Sequence, residues 1–317
     1  NLGGWIVSRY SWRYIFYINL PIGIGLIALI MILLEDSKIL SRPHIDFIGA
    51  SFFFGGILFL MLALNLIAET FSISSLLLTV IFLVISFSFL YLFFRQEKKD
   101  SNPILDMALL GSKPFLAANL YNMIVGAGLL GIFAFIPLYA TSVHKLSTLV
   151  SGVILTPRSL AVIPAAAITS FLLKRWGYRW PMVLGLIIIS LSTVLLSGQG
   201  FQLLRMIGIH LGVAGILAVL MMATGIGIGI ALPASNNACI ELMPDKVATI
   251  TGLRGMFRSV GGAFGISLIT IILHSSSTAS NGFEIAFISF GLGLLFTIPL
   301  VFLMPTGNKV GGQGRNQ

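Results

Sequence analysis

Residues 73–99 read ISSLLLTVIFLVISFSFLYLFFRQEKK. The first 22 positions carry no charged side chain, and Arg95, Lys98 and Lys99 follow at once. A helix needs about 20 predominantly apolar residues to cross the hydrocarbon core of a bilayer, where only a backbone hydrogen-bonded within itself is tolerated. Basic residues collect on the cytoplasmic side of such helices. The stretch therefore reads as a span whose C-terminal end is held at the cytoplasmic face.

Eight further stretches have the same character, which places predicted spans at 14–34, 47–68, 73–94, 115–139, 150–173, 181–198, 212–232, 252–273 and 284–304. The expected fold class is all-α, a polytopic transmembrane bundle of nine helices with the lipid bilayer as its solvent. Composition agrees: the 317 residues are 57% hydrophobic and 9% charged, against about a quarter charged in soluble domains. The lone cysteine, Cys239, excludes an internal disulfide, and no His/Cys/Asp cluster has metal-site spacing. No metal, redox centre or cofactor is expected. Cys239 and the histidines His44, His144, His210 and His274 make no catalytic constellation, so the chain does not read as an enzyme.

The net charge of +9 could attract nucleic acid, but its placement argues for topology instead. Fourteen basic residues fall in alternate loops and the tail: Lys38, Arg42, Arg95, Lys98, Lys99, Lys113, Lys174, Arg175, Arg179, Lys246, Arg254, Arg258, Lys309 and Arg315. The other loops hold only Arg9, Arg13, Lys145 and Arg205, and Arg158 falls within a span. The C-terminus is thus expected in the cytoplasm, and nine spans then put Asn1 outside. Asn1-Leu2-Gly3-Gly4-Trp5 has neither an initiator Met nor the pattern of a signal peptide. The expectation is that at least one span precedes residue 1. The long connection 95–114 reads as a cytoplasmic linker with a short amphipathic segment.

Polar groups inside a bilayer are costly, which makes each one a functional candidate to be weighed against helix packing. Arg158 lies between Pro157 and Pro164 in the fifth span. It reads either as a structural anchor or as a cavity or gating residue. Asn119 and Asn122 flank Tyr121 in the fourth span, and Asn236 and Asn237 close the seventh; such amides act as interhelical glue or as ligand contacts. Gly261 and Gly265 form a GxxxG pair suited to close helix packing. Asp46, Glu69, Glu97, Glu241 and Glu284 fall at span ends or in loops, so a proton relay is expected either in a preceding part of the protein or at one of these edges.

Several motifs resemble the major facilitator superfamily, and within it the fourteen-helix drug:proton antiporters. Leu2-Gly3-Gly4-Trp5 looks like the tail of that family's fifth helix, with Gly3 and Gly4 as packing glycines. Residues 11–23, SWRYIFYINLPIG, are similar to the segment entering the sixth. Pro43-His44-Ile45-Asp46-Phe47-Ile48-Gly49 looks like the start of the first of two extra central helices. Ser170 to Arg179 resembles the superfamily's cytoplasmic loop motif, with Arg175, Gly177 and Arg179 in register, although Lys174 stands where Asp is expected and Ser170 where Gly is. Residues 258–265, RSVGGAFG, are similar to the start of the penultimate helix.

The resemblance implies a partial major facilitator fold covering helices six to fourteen. In that reading, residues 1–34 end an N-terminal bundle and 35–94 carry the two central helices. Residues 95–114 are the linker, 115–304 a C-terminal six-helix bundle and 305–317 a cytoplasmic tail. The missing N-terminal helices of the same protein are its implied partner. The implied activity is secondary transport in the cell membrane, with protons driving efflux of lipophilic or cationic small-molecule substrates by alternating access. Cavity or coupling candidates are Asn119, Asn122, Phe133, Phe135, Arg158 and Asn236. The rival readings are export of an endogenous metabolite or siderophore on the same fold, and a truncated membrane protein that does not transport.

Overall fold

The computed structural model describes residues 6, 11, 13–33, 46–69, 73–98, 111–206, 208 and 211–307. Gly3 and Gly4, most of the 95–114 linker and the tail from residue 308 lie outside the described residues. Helices form where the apolar runs predict them, and no strand occurs among the described residues. In chain order they are α1 Tyr14–Leu33, α2 Phe47–Glu69, α3 Ile73–Glu97, α4 Lys113–Ser142, α5 Thr148–Trp176, α6 Arg179–Val194, α7 Gly198–Met206, α8 Val213–Ile240, α9 Pro244–Ser275 and α10 Ala279–Leu303. Among the described residues eight helices are long and apolar enough to cross a membrane, and α6 with α7 makes a ninth if the bent pair counts as one span.

That bend departs from the sequence expectation of one span over 181–198. α6 has 16 residues, about 24 Å of helix, and α7 turns away from it by 99°. Local hydrogen bonds explain the corner. Tyr139 Oη donates to the Leu196 carbonyl (2.8 Å), and Ser197 Oγ accepts the Gly200 N–H (3.1 Å) to cap α7.

Two other boundaries move in ways that matter for the site. α8 continues through Pro233 to Ile240, so Asn236 and Asn237 lie inside the helix instead of closing it. Tight packing of its glycines holds the helix through the proline: a methyl at Gly229 would strike the Val162 carbonyl and Ala165 of α5. α9 begins with a 3₁₀ turn at Pro244–Lys246 and is α-helical from Val247. A proline in the first turn costs no hydrogen bond and lets the helix start early. Arg254 and Arg258, which the charge count assigned to a loop although the predicted span 252–273 contains them, are therefore helical residues within the bundle. α4 carries a π-helical turn at Ala127–Gly131, a feature that recurs at functional sites.

α8 packs along α5 and α6, α9 packs along α4, and α6 meets α10. Helix for helix, α4–α6 and α8–α10 make the same contacts with the two triplets exchanged. The glycine contacts repeat this pattern. A methyl at Gly126 of α4 would meet the Arg258 carbonyl of α9, and one at Gly225 of α8 would meet the Arg158 carbonyl of α5. Arg158-Ser159 and Arg258-Ser259 are thus equivalent positions of an internal repeat, as in transporter bundles built from inverted triplets.

The α2–α3 hairpin is held by Ser86 Oγ donating to the Gly56 carbonyl (2.7 Å) and by the Phe53–Phe93 ring contact at 4.8 Å. It joins the bundle through α9, where Ser267 Oγ donates to the Leu64 carbonyl (2.8 Å). Asp46 caps α2 by accepting the Gly49 N–H at 2.8 Å. No side chain described in α1 is buried.

Candidate functional site

α4, α8 and α9 converge on a polar cluster. Asn122 on α4 is 2% exposed and donates its amide to the Ala118 carbonyl one turn back at 2.7 Å. That bond occupies Nδ2 and leaves Oδ1 free to accept. Arg254 Nε reaches it at 3.3 Å, while Arg254 Nη1 donates to Asn236 Oδ1 at 2.5 Å. A guanidinium only donates, so both amides must turn their oxygens toward it. Asn122 Nδ2 also lies 3.5 Å from Cys239 Sγ. The sequence candidates Asn122 and Asn236 are therefore brought together by Arg254, a residue that the charge count treated as topological and no sequence argument singled out. Its signal was the four-residue spacing of Arg254 and Arg258 around Met256 and Phe257, which places both cations on one helical face.

The other candidates are distributed. Asn119 donates to the Phe115 carbonyl at 2.9 Å and lines a separate cleft of about 770 Å³ with Phe94, Phe115, Met123 and Phe257. Arg158 stacks over the Phe133 ring at 4.1 Å, a cation–π contact that stabilises a half-buried charge. Phe135 packs with Phe133 against the core cluster containing Ile136, Tyr139 and Phe287. Gly261 and Gly265 lie against Met123 and Ala127 of α4 so closely that a methyl at either would strike the backbone carbonyl. A cleft of about 820 Å³ between α5 and α8 is lined almost wholly by apolar side chains and has no charged residue in its lining.

The loop motif closes one end of the bundle. Arg175 is exposed, whereas Arg179 donates to the Phe302 carbonyl (2.8 Å) and lies near that of Met304 (3.4 Å), binding the C-terminal end of α10 where the helix dipole favours a cation. Tyr178 is held by the Glu241 carboxylate, and burial together with that charge raises its hydroxyl above the usual range. Gly177 turns the chain at φ 64°, ψ −164°, a region open essentially to glycine alone. Gly177→Ala is expected to destabilise the protein by about 1–3 kcal/mol, read as a lower melting temperature of the purified protein. An unchanged melt would show that the turn relaxes without strain.

At the opposite end, His144 in the α4–α5 connection stacks on Phe201 at 5.2 Å and meets Tyr139 edge-on at 4.8 Å. Its Nε2 is buried without a hydrogen-bond partner among the described residues. Burial lowers its affinity for a proton. A histidine held neutral in the folded state takes up its proton on unfolding once the pH falls below its ordinary value of about 6.5. Stability is then present above that pH and lost as the pH falls toward the depressed folded value. The melting temperature should drop between about pH 7 and pH 5. His144→Phe, which preserves the stack, should flatten that slope; an identical slope would exclude His144 as its source.

The Major Facilitator Superfamily profile matches residues 45–266 and, in an overlapping second placement, 151–315. The chain is 27% identical over 279 residues to the multidrug transporter protein MdtP of Bacillus subtilis, covering 87% of this chain and 50% of that protein. It is 26% identical over 286 residues to the multidrug resistance protein B homolog of Mycobacterium tuberculosis strain H37Rv, covering 86% of this chain and 49% of that one. With the tetracenomycin C resistance and export protein of Streptomyces glaucescens the identity is 22% over 279 residues, covering 86% and 49%. The chain spans about half the length of these curated relatives. The described helices are those of a multi-pass membrane protein, and the relatives are transporters, not enzymes. The family profile accounts for nearly all of the chain from residue 45 onward, and the chain belongs to the major facilitator superfamily.

Proposed function

We propose that the chain supplies helices six to fourteen of a proton-coupled exporter of lipophilic small molecules in the cell membrane, with its C-terminus in the cytoplasm. The carrying observation is the polar cluster of Asn122, Asn236, Arg254 and Arg258, set among apolar helices on both sides of a glycine-lined α4–α9 contact. Polar side chains gathered between apolar helices favour a solute path, and smooth helix faces favour rocking of one bundle on another. The names of the relatives support drugs as cargo. Among the lipophilic and cationic solutes expected from the family resemblance, the arginines favour the former.

No carboxylate occupies the middle of a described helix. In this reading the proton relay resides in the N-terminal helices of the same protein, which also complete the cavity. The test uses full-length protein in proteoliposomes under an imposed pH gradient. A lipophilic dye such as Hoechst 33342 should move against its gradient and stop moving when a protonophore is added. A drug-susceptibility panel in a pump-deficient host should show raised resistance. Dye movement indifferent to the pH gradient would remove proton coupling; export of a metabolite with no effect on any drug would favour the rival cargo.

A further inference from the structure

We propose that Arg254 and Arg258 form a binding site for a carboxylate carried by the exported solute, a proposal that rests on the export reading above. Arg254 engages only Nε and Nη1 with the two asparagine oxygens. A guanidinium has five N–H donors in a fixed fork suited to two carboxylate oxygens. Arg258 stands one helical turn further along α9, and the two like charges oppose each other. In an apolar surrounding such repulsion is strong, and an anion between them removes it.

The surroundings also have the size and donors for such a group. Arg258, Tyr121, Asn122 and Ser235 line a cavity of about 40 Å³ together with apolar residues such as Leu129 and Ile228, and Arg254 adjoins it through its bond to Asn122. Ser235 is 2% exposed, and its Oγ, beside the Tyr121 hydroxyl, makes no well-formed hydrogen bond among the described residues. A buried hydroxyl so incompletely satisfied, in a cavity that a cation also lines, marks a place where a polar guest belongs. The volume accepts a planar two-oxygen group or a single water, and a phosphate or sulfonate with its extra oxygens is larger. Room for the apolar body of the solute lies alongside: Thr251, Gly252, Gly255 and Ser259 of α9 are exposed, and nothing lies within 4 Å of a methyl built at Gly252 or Gly255. Among the described residues the acidic positions Asp46, Glu69, Glu97, Glu241, Asp245 and Glu284 sit at or near helix ends, so none of these supplies the anion from mid-helix. Arg158, the repeat equivalent of Arg258, faces an aromatic ring instead.

The carboxylate has two possible sources, the solute or an acidic side chain of the protein's own N-terminal helices, and one probe series separates them. Full-length purified protein is titrated with pyrenebutyrate, pyrenebutyramide and a pyrenyl trimethylammonium salt, following pyrene fluorescence. Wild-type protein should bind the carboxylate about tenfold more tightly than the amide, as a charge-assisted bidentate contact allows. Arg254→Gln and Arg258→Gln should each bring that ratio toward one while leaving amide affinity in place. Arg254→Lys and Arg258→Lys keep the charge without the fork and should retain part of the preference; they carry the test if a glutamine variant fails to fold.

Equal wild-type affinity for carboxylate and amide overturns the proposal, as does a preference that survives the substitutions. Equal weakening of all three probes in the glutamine variants assigns the partner carboxylate to the protein itself and also overturns it. The dye-transport assay reports separately on the export reading. An arginine-dependent carboxylate preference in a protein that moves no dye keeps the site and removes that reading.

Discussion

Gly261→Val is expected to leave little folded protein, whereas Gly252→Ala and Gly255→Ala, on the same helix, should be tolerated or mildly stabilising. The contrast comes from what a side chain would meet. At Gly261 the first added carbon lands on the Met123 carbonyl, and the neighbouring contact at Gly265 has the same character against Ala127. These obstacles are backbone, which no rotamer change can clear, so α4 and α9 would have to separate along the interface containing the π turn and the Asn122–Arg254 bond. Overpacking of this kind costs about 1–3 kcal/mol even where side chains can yield, and the upper end or beyond is expected here. At Gly252 and Gly255 nothing lies within 4 Å, and replacing helical glycine by alanine gains about 0.5–1 kcal/mol. Thermal melting and the monodisperse fraction of the full-length protein in detergent measure both signs. A Gly261→Val protein that melts with wild type would show that the two helices do not approach as described.

Much of this architecture was legible in the sequence because it is set by lipid. A run such as 73–94 has no alternative to a helix once it is in a bilayer, and the basic residues that follow it mark its end. The boundaries that moved were those decided by tertiary contact. Pro233 followed by Asn236 and Asn237 reads locally as a helix end, yet α8 continues because its glycines dock against α5. Arg254 and Arg258 read as loop charges because a charge count treats any arginine near a span end as topological. Only the early start of α9 and the amides facing it from α4 and α8 place Arg254 among polar partners. The corner between α6 and α7 depends on Tyr139, some 57 positions from the carbonyl it holds, and no local window contains both. The internal repeat did leave a trace, Arg158-Ser159 and Arg258-Ser259 at a spacing of 100, but its meaning rests on the equivalent glycine contacts.

Removal of an acceptor from the Arg254 cluster should harm the fold more than removal of the charge itself. Asn122→Ala leaves a half-buried guanidinium short of one acceptor and is expected to cost about 2 kcal/mol, within the range for hydrogen bonds to charged groups. That exceeds the roughly 0.6 kcal/mol typical of hydrogen bonds between membrane helices, because here the stranded partner is a cation. Arg254→Met has the opposite logic. It removes the desolvated charge and fills similar space with an apolar chain, leaving Asn122 anchored to the Ala118 carbonyl of its own helix and Asn236 half-buried in α8. Such exchanges of buried charge for hydrophobe are commonly neutral or stabilising by about 1–4 kcal/mol. The double variant Asn122→Ala/Arg254→Met should recover most of what Asn122→Ala loses, a coupling of about 2 kcal/mol in a double-mutant cycle. Melting of the four proteins under one detergent condition provides the cycle. Additive losses would mean that the 3.3 Å contact carries no energy. A double variant that recovers stability but moves no dye in the proteoliposome assay would support a role for Arg254 in the proposed solute path over a role in packing alone.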